Sequence, residues 1–234
     1  MDQRELSVVI PCLNENETIG HAVTTCLNVF KQLNINGEVI VVDNGSDDGS
    51  GELAKVAGAK VFVEPRKGYG NALLRGIRES IGRYIFMADA DMSYDFTDIG
   101  KFLDHIGTCD MLIGCRFSRG GGNLEKGAMP ILNQIGNFFL SNFTRILFGI
   151  KIHDFHCGAR MFVREKIISL DLNSEGMEFA SELIIAAHKK GLCIGEIGIH
   201  FKKDKRINNV IKLRPFRDGF RHIKYILKAF FVLK

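Results

Sequence analysis

The stretch IFMADADMSYDF, residues 85–96, carries two aspartates, Asp89 and Asp91, with one alanine between them. Alternate side chains of an extended chain point the same way, which would set these carboxylates roughly 6–7 Å apart on one side. Unneutralised, they repel one another. A divalent cation removes that penalty, and Mg²⁺ typically takes one or two carboxylates together with phosphate oxygens of a substrate. A solvated turn fits the same D-x-D pattern, so its surroundings matter. In VVDNGSDDGS (41–50), Asp43 precedes Gly45 and Gly49. Its carboxylate suits a nucleobase N–H, with the glycines allowing close backbone approach. The alternative is an acidic turn in which Asp48 or Ser50 caps the next helix. In PRKGYGNALLRGI (65–77), Lys67, Gly68 and Gly70 stand at a helix start, where a cation and backbone amides suit a diphosphate. His153 and His156 flank Asp154, but an H-x-x-H without further ligands is read as incidental rather than as a zinc site.

The elements around these residues alternate. LSVVIP (6–11) is a short β-branched run stopped by proline, and 14–33 carries Ile19, Val23, Cys26, Leu27 and Phe30 at helical spacing. Strands at 38–43, 59–64 and 83–89 and helices at 49–57 and 70–81 continue the series. Such repetition predicts an α/β fold, a parallel sheet flanked by helices, with ligands outside the carboxyl ends of the strands. Three predicted strands end in polar residues, so their tips would share one crevice. From Ile131 to Phe148 the spacing predicts a helix with a broad apolar stripe, directed either into the core or toward a membrane.

Charge divides the chain. From Lys202 onward eleven Lys or Arg stand against two Asp, a net +9, which leaves the first 201 residues at −5 within a total of +4. The tail mixes these cations with Phe216, Phe220, Ile223, Ile226 and Leu227 at helical spacing, a basic amphipathic helix suited to an anionic bilayer surface. Nothing resembles a nucleic-acid reading motif, so no nucleic-acid partner is expected. No run reaches the roughly 20 apolar residues of a membrane span, and the polar opening before LSVVIP predicts no signal peptide. Six cysteines without a C-x-x-C pair point to reduced thiols.

In order along the chain, VVIPCLNENETI, VVDNGSDDGS, PRKGYGNAL, DADMS, GCR, DFHCGARMF, MEFASELIIAA and EIGIHF resemble the family-2 inverting glycosyltransferases of GT-A fold. The likeness is to the polyprenyl-phosphate (dolichol-phosphate) mannosyl- or glucosyltransferase branch, over roughly residues 6–201. It implies a catalytic domain, 1–201, with a Rossmann-like, mostly parallel sheet, and a tail, 202–234, at a membrane surface or over the acceptor. It further implies transfer of a hexose from GDP-mannose or UDP-glucose to a polyprenyl or dolichyl phosphate, peripherally at a cytoplasmic membrane face. The alternatives are a family-2 enzyme acting on a sugar hydroxyl of a growing glycan, or a silent nucleotide-sugar-binding membrane protein.

By the same resemblance Pro11, Asn14, Glu15 and Asp43 line the nucleoside pocket. Asp89 faces ribose and metal, and Asp91 is the principal carboxylate for Mg²⁺ or Mn²⁺. Ser93 stands where relatives often carry a glutamine ligand, with Asp95 as a nearby substitute. Arg116 and Arg160, with Arg119 close by, are assigned to phosphate. Asp154 orients Arg160 or meets the sugar, and Glu182 lies near the donor sugar, whereas Glu178 reads as an exposed helical charge. Lys205 or Arg206 in a mobile loop would meet phosphate. A polyprenyl phosphate is already an anion, so it needs positioning and charge neutralisation rather than a general base.

Overall fold

The computed structural model describes residues 5–206 and 214–232. Its first half alternates as the hydrophobic pattern requires: β1 (Leu6–Cys12), α1 (Ile19–Leu33), β2 (Gly37–Asp43), α2 (Ser50–Val56), β3 (Lys60–Val63), α3 (Tyr69–Glu79) and β4 (Tyr84–Met87). Then come α4 (Ile99–His105), β5 (Met111–Cys115), β6 (Asn123–Leu124) and α5 (Ile131–Phe148). The chain continues through β7 (Arg160–Val163), α6 (Arg164–Ile168), α7 (Phe179–Lys189), β8 (Ile194–Gly198), β9 (His200–Phe201) and α8 (Pro215–Phe231).

Seven strands form one sheet in the order β3-β2-β1-β4-β7-β5-β8. Every neighbouring pair is parallel except those of β7, which runs antiparallel to β4 and β5. β1 is buried along its length and pairs with β2 on one side and β4 on the other. The connections leave these strands in opposite directions, so their carboxyl ends open onto a crevice. β6 and β9 form a small parallel pair, and a bridge between Tyr94 and Phe201 ties β9 to the turn after β4.

Two local expectations are corrected and one is met. The helix predicted from residue 14 begins at Ile19. Ahead of it, the backbone N–H groups of Asn14, Glu15 and Asn16 donate to the side chains of Ser46, Ser50 and Asp48, with Asn14 left-handed at φ 53°. β4 stops at Met87, so Asp89 and Asp91 lie in the turn beyond it and the alternation of an extended strand does not place them. The tail helix carries Phe216, Phe220, Ile223, Ile226 and Leu227 as expected and starts at Pro215, where the missing proline N–H costs nothing. Any reading of a mobile loop over 207–213 lies outside the described residues.

The orientation of α5 runs against the core reading of its stripe. Ile131, Phe139 and Ile146 are 74%, 66% and 82% exposed, whereas the buried residues are Asn137, Ser141 and Thr144. The helix is inverted relative to an ordinary surface helix. α8 buries Asp218, His222, Ile226 and Ala229 and exposes Phe216, Phe220 and Phe231. Ile226 and Ala229 join Ile185 of α7 in a small second core, against Leu140 and Leu147 of α5.

Candidate active site

At the tips of β1 and β2, Asp43 Oδ1 accepts the backbone N–H groups of Gly45 and Ser46 at 3.1 and 2.8 Å. Asn14 Oδ1 accepts from Asp47 N, so the two loops brace one another beside Pro11. Cys12 lies beneath them; burial, then the Asp43 carboxylate, push its thiol up to about 12. The pocket floor is therefore a neutral thiol rather than a charge.

Asn44 joins this pocket to the next loop. Its amide nitrogen donates to the carbonyls of Glu64 and Arg66, both at 2.8 Å. Its Oδ1 accepts the N–H of Gly68 at 2.7 Å. Lys67 Nζ donates to the carbonyls of Asn44 and Gly45. These contacts take the Gly68 N–H away from a diphosphate, while Lys67 keeps one ammonium proton beyond the two it donates. The Gly68 amide and two of the ammonium's three protons are engaged by the backbone and Asn44, because the turn is built as a packing junction. A Cβ on Gly70 would stand 2.0 Å from the carbonyl oxygen of Ser174, and one on Gly68 2.2 Å from that of Glu175.

Asp89 and Asp91 follow. Tyr69 donates to Asp89 Oδ1 at 2.9 Å. Burial first, and then the Asp91 carboxylate, push Asp89 above the usual carboxylate range, the expected sign for two acids sharing a site. Ser93, expected as a metal contact, is 2% exposed and donates both its hydroxyl and its N–H to Asp91 Oδ1, at 2.6 and 2.9 Å. It stands behind the carboxylate and orients it, which corrects its assignment as a ligand. Asp95 is no substitute, since it pairs with Lys202 at 2.5 Å. Arg206 reaches over the pair: its Nη1 lies 3.2 Å from Glu15 Oε1 and its Nη2 4.0 Å from Asp91 Oδ2, beside Asp204. The N–H of Lys205 donates to the Asp91 carbonyl. Among the described residues no group of three or more His, Cys, Asp or Glu is placed to hold a metal alone. The crowded pair fits a divalent cation that shares its coordination with a ligand's phosphates.

The second half of the crevice is assembled around Asp154, which is fully buried. Its carboxylate binds Arg116 through Nε at 2.7 Å and Nη2 at 2.8 Å and accepts Asn137 Nδ2 at 3.0 Å. Burial raises its carboxyl, but the charge and hydrogen bonds of Arg116, with that of Asn137, together hold it below the usual range. Arg116 therefore has one edge committed to Asp154, and only its Nη1 side is left for a phosphate. Asp154 orients Arg116, not Arg160. The assignment of Arg160 to phosphate is corrected: it is 1% exposed, and its three nitrogens donate to the carbonyls of Cys157, Ala180 and Phe155. Glu182 is corrected as well. Its two oxygens accept the N–H groups of Asn173 and Ser174, fixing the loop that packs on Gly68 and Gly70. Glu178 is not an exposed charge but is buried against Arg221 at 2.6 Å.

The sequence model of glycosyl transferase family 2 matches residues 7–170. The chain is a family 2 glycosyltransferase. The low-salt glycan biosynthesis hexosyltransferase Agl6 of Haloferax volcanii is 38% identical to it over 225 residues, 95% of this chain and 53% of its own. The chain thus spans about half the length of that relative. The dolichyl-phosphate hexose transferase of the same organism is 29% identical over 226 residues, 96% of this chain and 93% of its own. Glucosyl-3-phosphoglycerate synthase from Mycobacterium tuberculosis, solved with Mn²⁺, UDP and glucosyl-3-phosphoglycerate, superposes with a TM-score of 0.74 at 21% identity. That match covers 97% of this chain and 79% of the other, and the likeness is one of fold, the mostly parallel GT-A sheet.

Sequence reasoning missed Asn44 and Tyr69 in this family 2 site, although both lie inside motifs already quoted, one residue after Asp43 and between Gly68 and Gly70. It also missed Asn137, whose only local signal was a polar residue inside an apolar helix.

Proposed function

We propose that this glycosyltransferase moves a hexose from a nucleotide diphosphate sugar to a polyprenyl phosphate, with inversion and with a divalent cation. Residues 1–201 act as the catalytic unit and 202–234 as a membrane-surface or acceptor-loop segment whose Arg206 reaches the site, peripherally at the cytoplasmic face of a membrane. The observation that carries the reading is the state of the acids. Asp154, Glu178 and Glu182 are each hydrogen-bonded to a protein partner. An acceptor that brings its own negative charge needs none of them as a base. The inverted α5 and the exposed phenylalanines of α8 support an acceptor held at a lipid surface, and each Lys or Arg close to an anionic leaflet adds about 1 kcal/mol. Free thiols at all six cysteines suit a reducing compartment.

Asp89 and Asp91 would hold Mg²⁺ or Mn²⁺, which when bound neutralises charge on the leaving diphosphate. The rest falls to the chain's own groups. Asp43, Asn14, Glu15 and Pro11 receive the nucleoside, and Asp43 Oδ2 is the oxygen not already taken by Gly45 and Ser46. Arg206, which lies over Glu15 and Asp91, has the planar fork of donors that would suit the diphosphate. Arg116 presents its Nη1 side to the acceptor phosphate. The reaction class has the support of a relative named for dolichyl-phosphate hexose transfer, and a protein of the same fold, glucosyl-3-phosphoglycerate synthase, was crystallised with Mn²⁺ and UDP-glucose.

A transfer panel tests the proposal: labelled GDP-mannose and UDP-glucose, dolichyl phosphate or water-soluble glycans as acceptor, and Mn²⁺ or EDTA. Label is expected in the lipid phosphate with Mn²⁺ and lost with EDTA. Label found in glycans but never in lipid would reject the acceptor assignment.

A further inference from the structure

The polar residues that α5 and α8 turn inward meet in the interior. His222 Nδ1 of α8 lies 2.8 Å from Ser181 Oγ of α7. Ser181 Oγ lies 3.2 Å from His156 Nε2, and His156 Nδ1 lies 3.2 Å from Asn137 Oδ1 of α5. Asn137 Nδ2 then donates to Asp154, which grips Arg116. His222, Ser181 and Asn137 are all buried, so a lost partner is not replaced by bulk water.

Asn137 Oδ1 also accepts the Ser141 hydroxyl at 2.9 Å; with both rings neutral and each contact a hydrogen bond, donors and acceptors fit one order. Ionised Asp154 accepts only, so Asn137 directs its amide nitrogen there and its oxygen toward His156. His156 must then carry its proton on Nδ1 and accept the Ser181 hydroxyl proton at Nε2. Ser181 in turn accepts from His222 Nδ1–H. Glu178 and Asp218 face His222 from the acidic side, and Arg160 and Arg221 from the basic side. Arg116 and Arg160 bear on His156. Burial holds both imidazoles below their ordinary range and keeps them neutral, as the order requires.

We propose that this chain of side chains is a positioning network for Arg116, through which the seating of α8 sets how Asp154 holds the acceptor-side guanidinium. The role of Arg116 rests on the transfer reading above; the network does not. Apolar side chains would pack α8 without the desolvation these groups incur; of its other inward residues, Ile226 and Ala229 are apolar, and Asp218 is spent on the N–H of Arg214 at the start of the same helix. A directed chain at this one level makes the orientation of Arg116 answer to the helix that carries the exposed phenylalanines.

Side-chain ¹⁵N spectroscopy and kinetics of the full chain test this together. Neutral rings are expected at pH 6.5, with the His156 proton on Nδ1 and a slowly exchanging Arg116 Nε–H. In Ser181→Ala and His222→Phe that exchange should quicken at least tenfold. The KM for dolichyl phosphate should rise fivefold or more while the donor KM stays within twofold. His222→Asn, which keeps a donor at the Nδ1 position, should restore both. Unchanged Arg116 exchange in the two disruptive variants overturns the network, as does His222→Asn failing as badly as His222→Phe, or a His156 proton on Nε2. If Arg116 exchange responds while no polyprenyl phosphate is ever glycosylated, the network stands and only the acceptor assignment falls.

Discussion

Asp89 and Asp91 crowd one another in a turn, and the penalty falls on Asp89, which is buried and pushed up, while Ser93 turns Asp91 outward. Asp91→Asn should therefore lower transfer by roughly 10²–10³-fold while leaving the thermal midpoint nearly unchanged, as rate assays and melting curves would show. Arg160 behaves oppositely. Its guanidinium satisfies three buried carbonyls, so Arg160→Leu should cost about 3 kcal/mol or more in denaturant titration, with activity lost through the fold rather than the chemistry.

Two elements carry predictions of their own. The turn into α3 has no space for a side chain at Gly70, 2.0 Å from Ser174 O. Gly70→Ala should destabilise by roughly 1–3 kcal/mol and raise the donor KM, because the neighbouring Tyr69 holds Asp89. On α5, Phe139 and Ile146 are exposed. Replacing both by glutamate should leave stability in water within about 0.5 kcal/mol. Inserting two large apolar side chains is worth roughly 1.5–3 kcal/mol each, so sedimentation with anionic vesicles should fall by about 100-fold or more. Unchanged vesicle binding would remove the membrane from the reading of α5.

For the molecule as a whole, the buried histidines make stability depend on pH. His222 is lowered to about 4 by burial, below its ordinary 6.5, so the unfolded chain takes up the proton first as the solution acidifies. Stability is complete above about pH 6.5 and is lost as pH falls toward 4, by roughly 3 kcal/mol; His156 adds a contribution of the same sign. Denaturant midpoints across that window, compared with His222→Phe, measure it: the variant should show a flatter profile.

The order of strands and helices in the first half, and Asp43, Asp89 and Asp91 at their ends, were legible from the sequence by itself. Periodicity and strand-end polarity are local properties that parallel βα units translate directly into position. The antiparallel β7 was not legible in that way, because its partners β4 and β5 are set by chain return and not by any pattern within RMFV. Nor were the partners of the charged groups. Arg116 and Arg160 look alike in sequence, yet one meets a carboxylate and the other three carbonyls, a difference that arises only when distant segments close around them. The stripe of α5 was visible as a stripe; its outward direction was decided by Asn137, Ser141 and Thr144 finding polar partners or backbone bonds inside. Sequence thus determined which groups the chain owns and on which elements they ride. Tertiary structure alone decided which of them remain available, because a hydrogen bond made inside the protein removes a group from chemistry outside it.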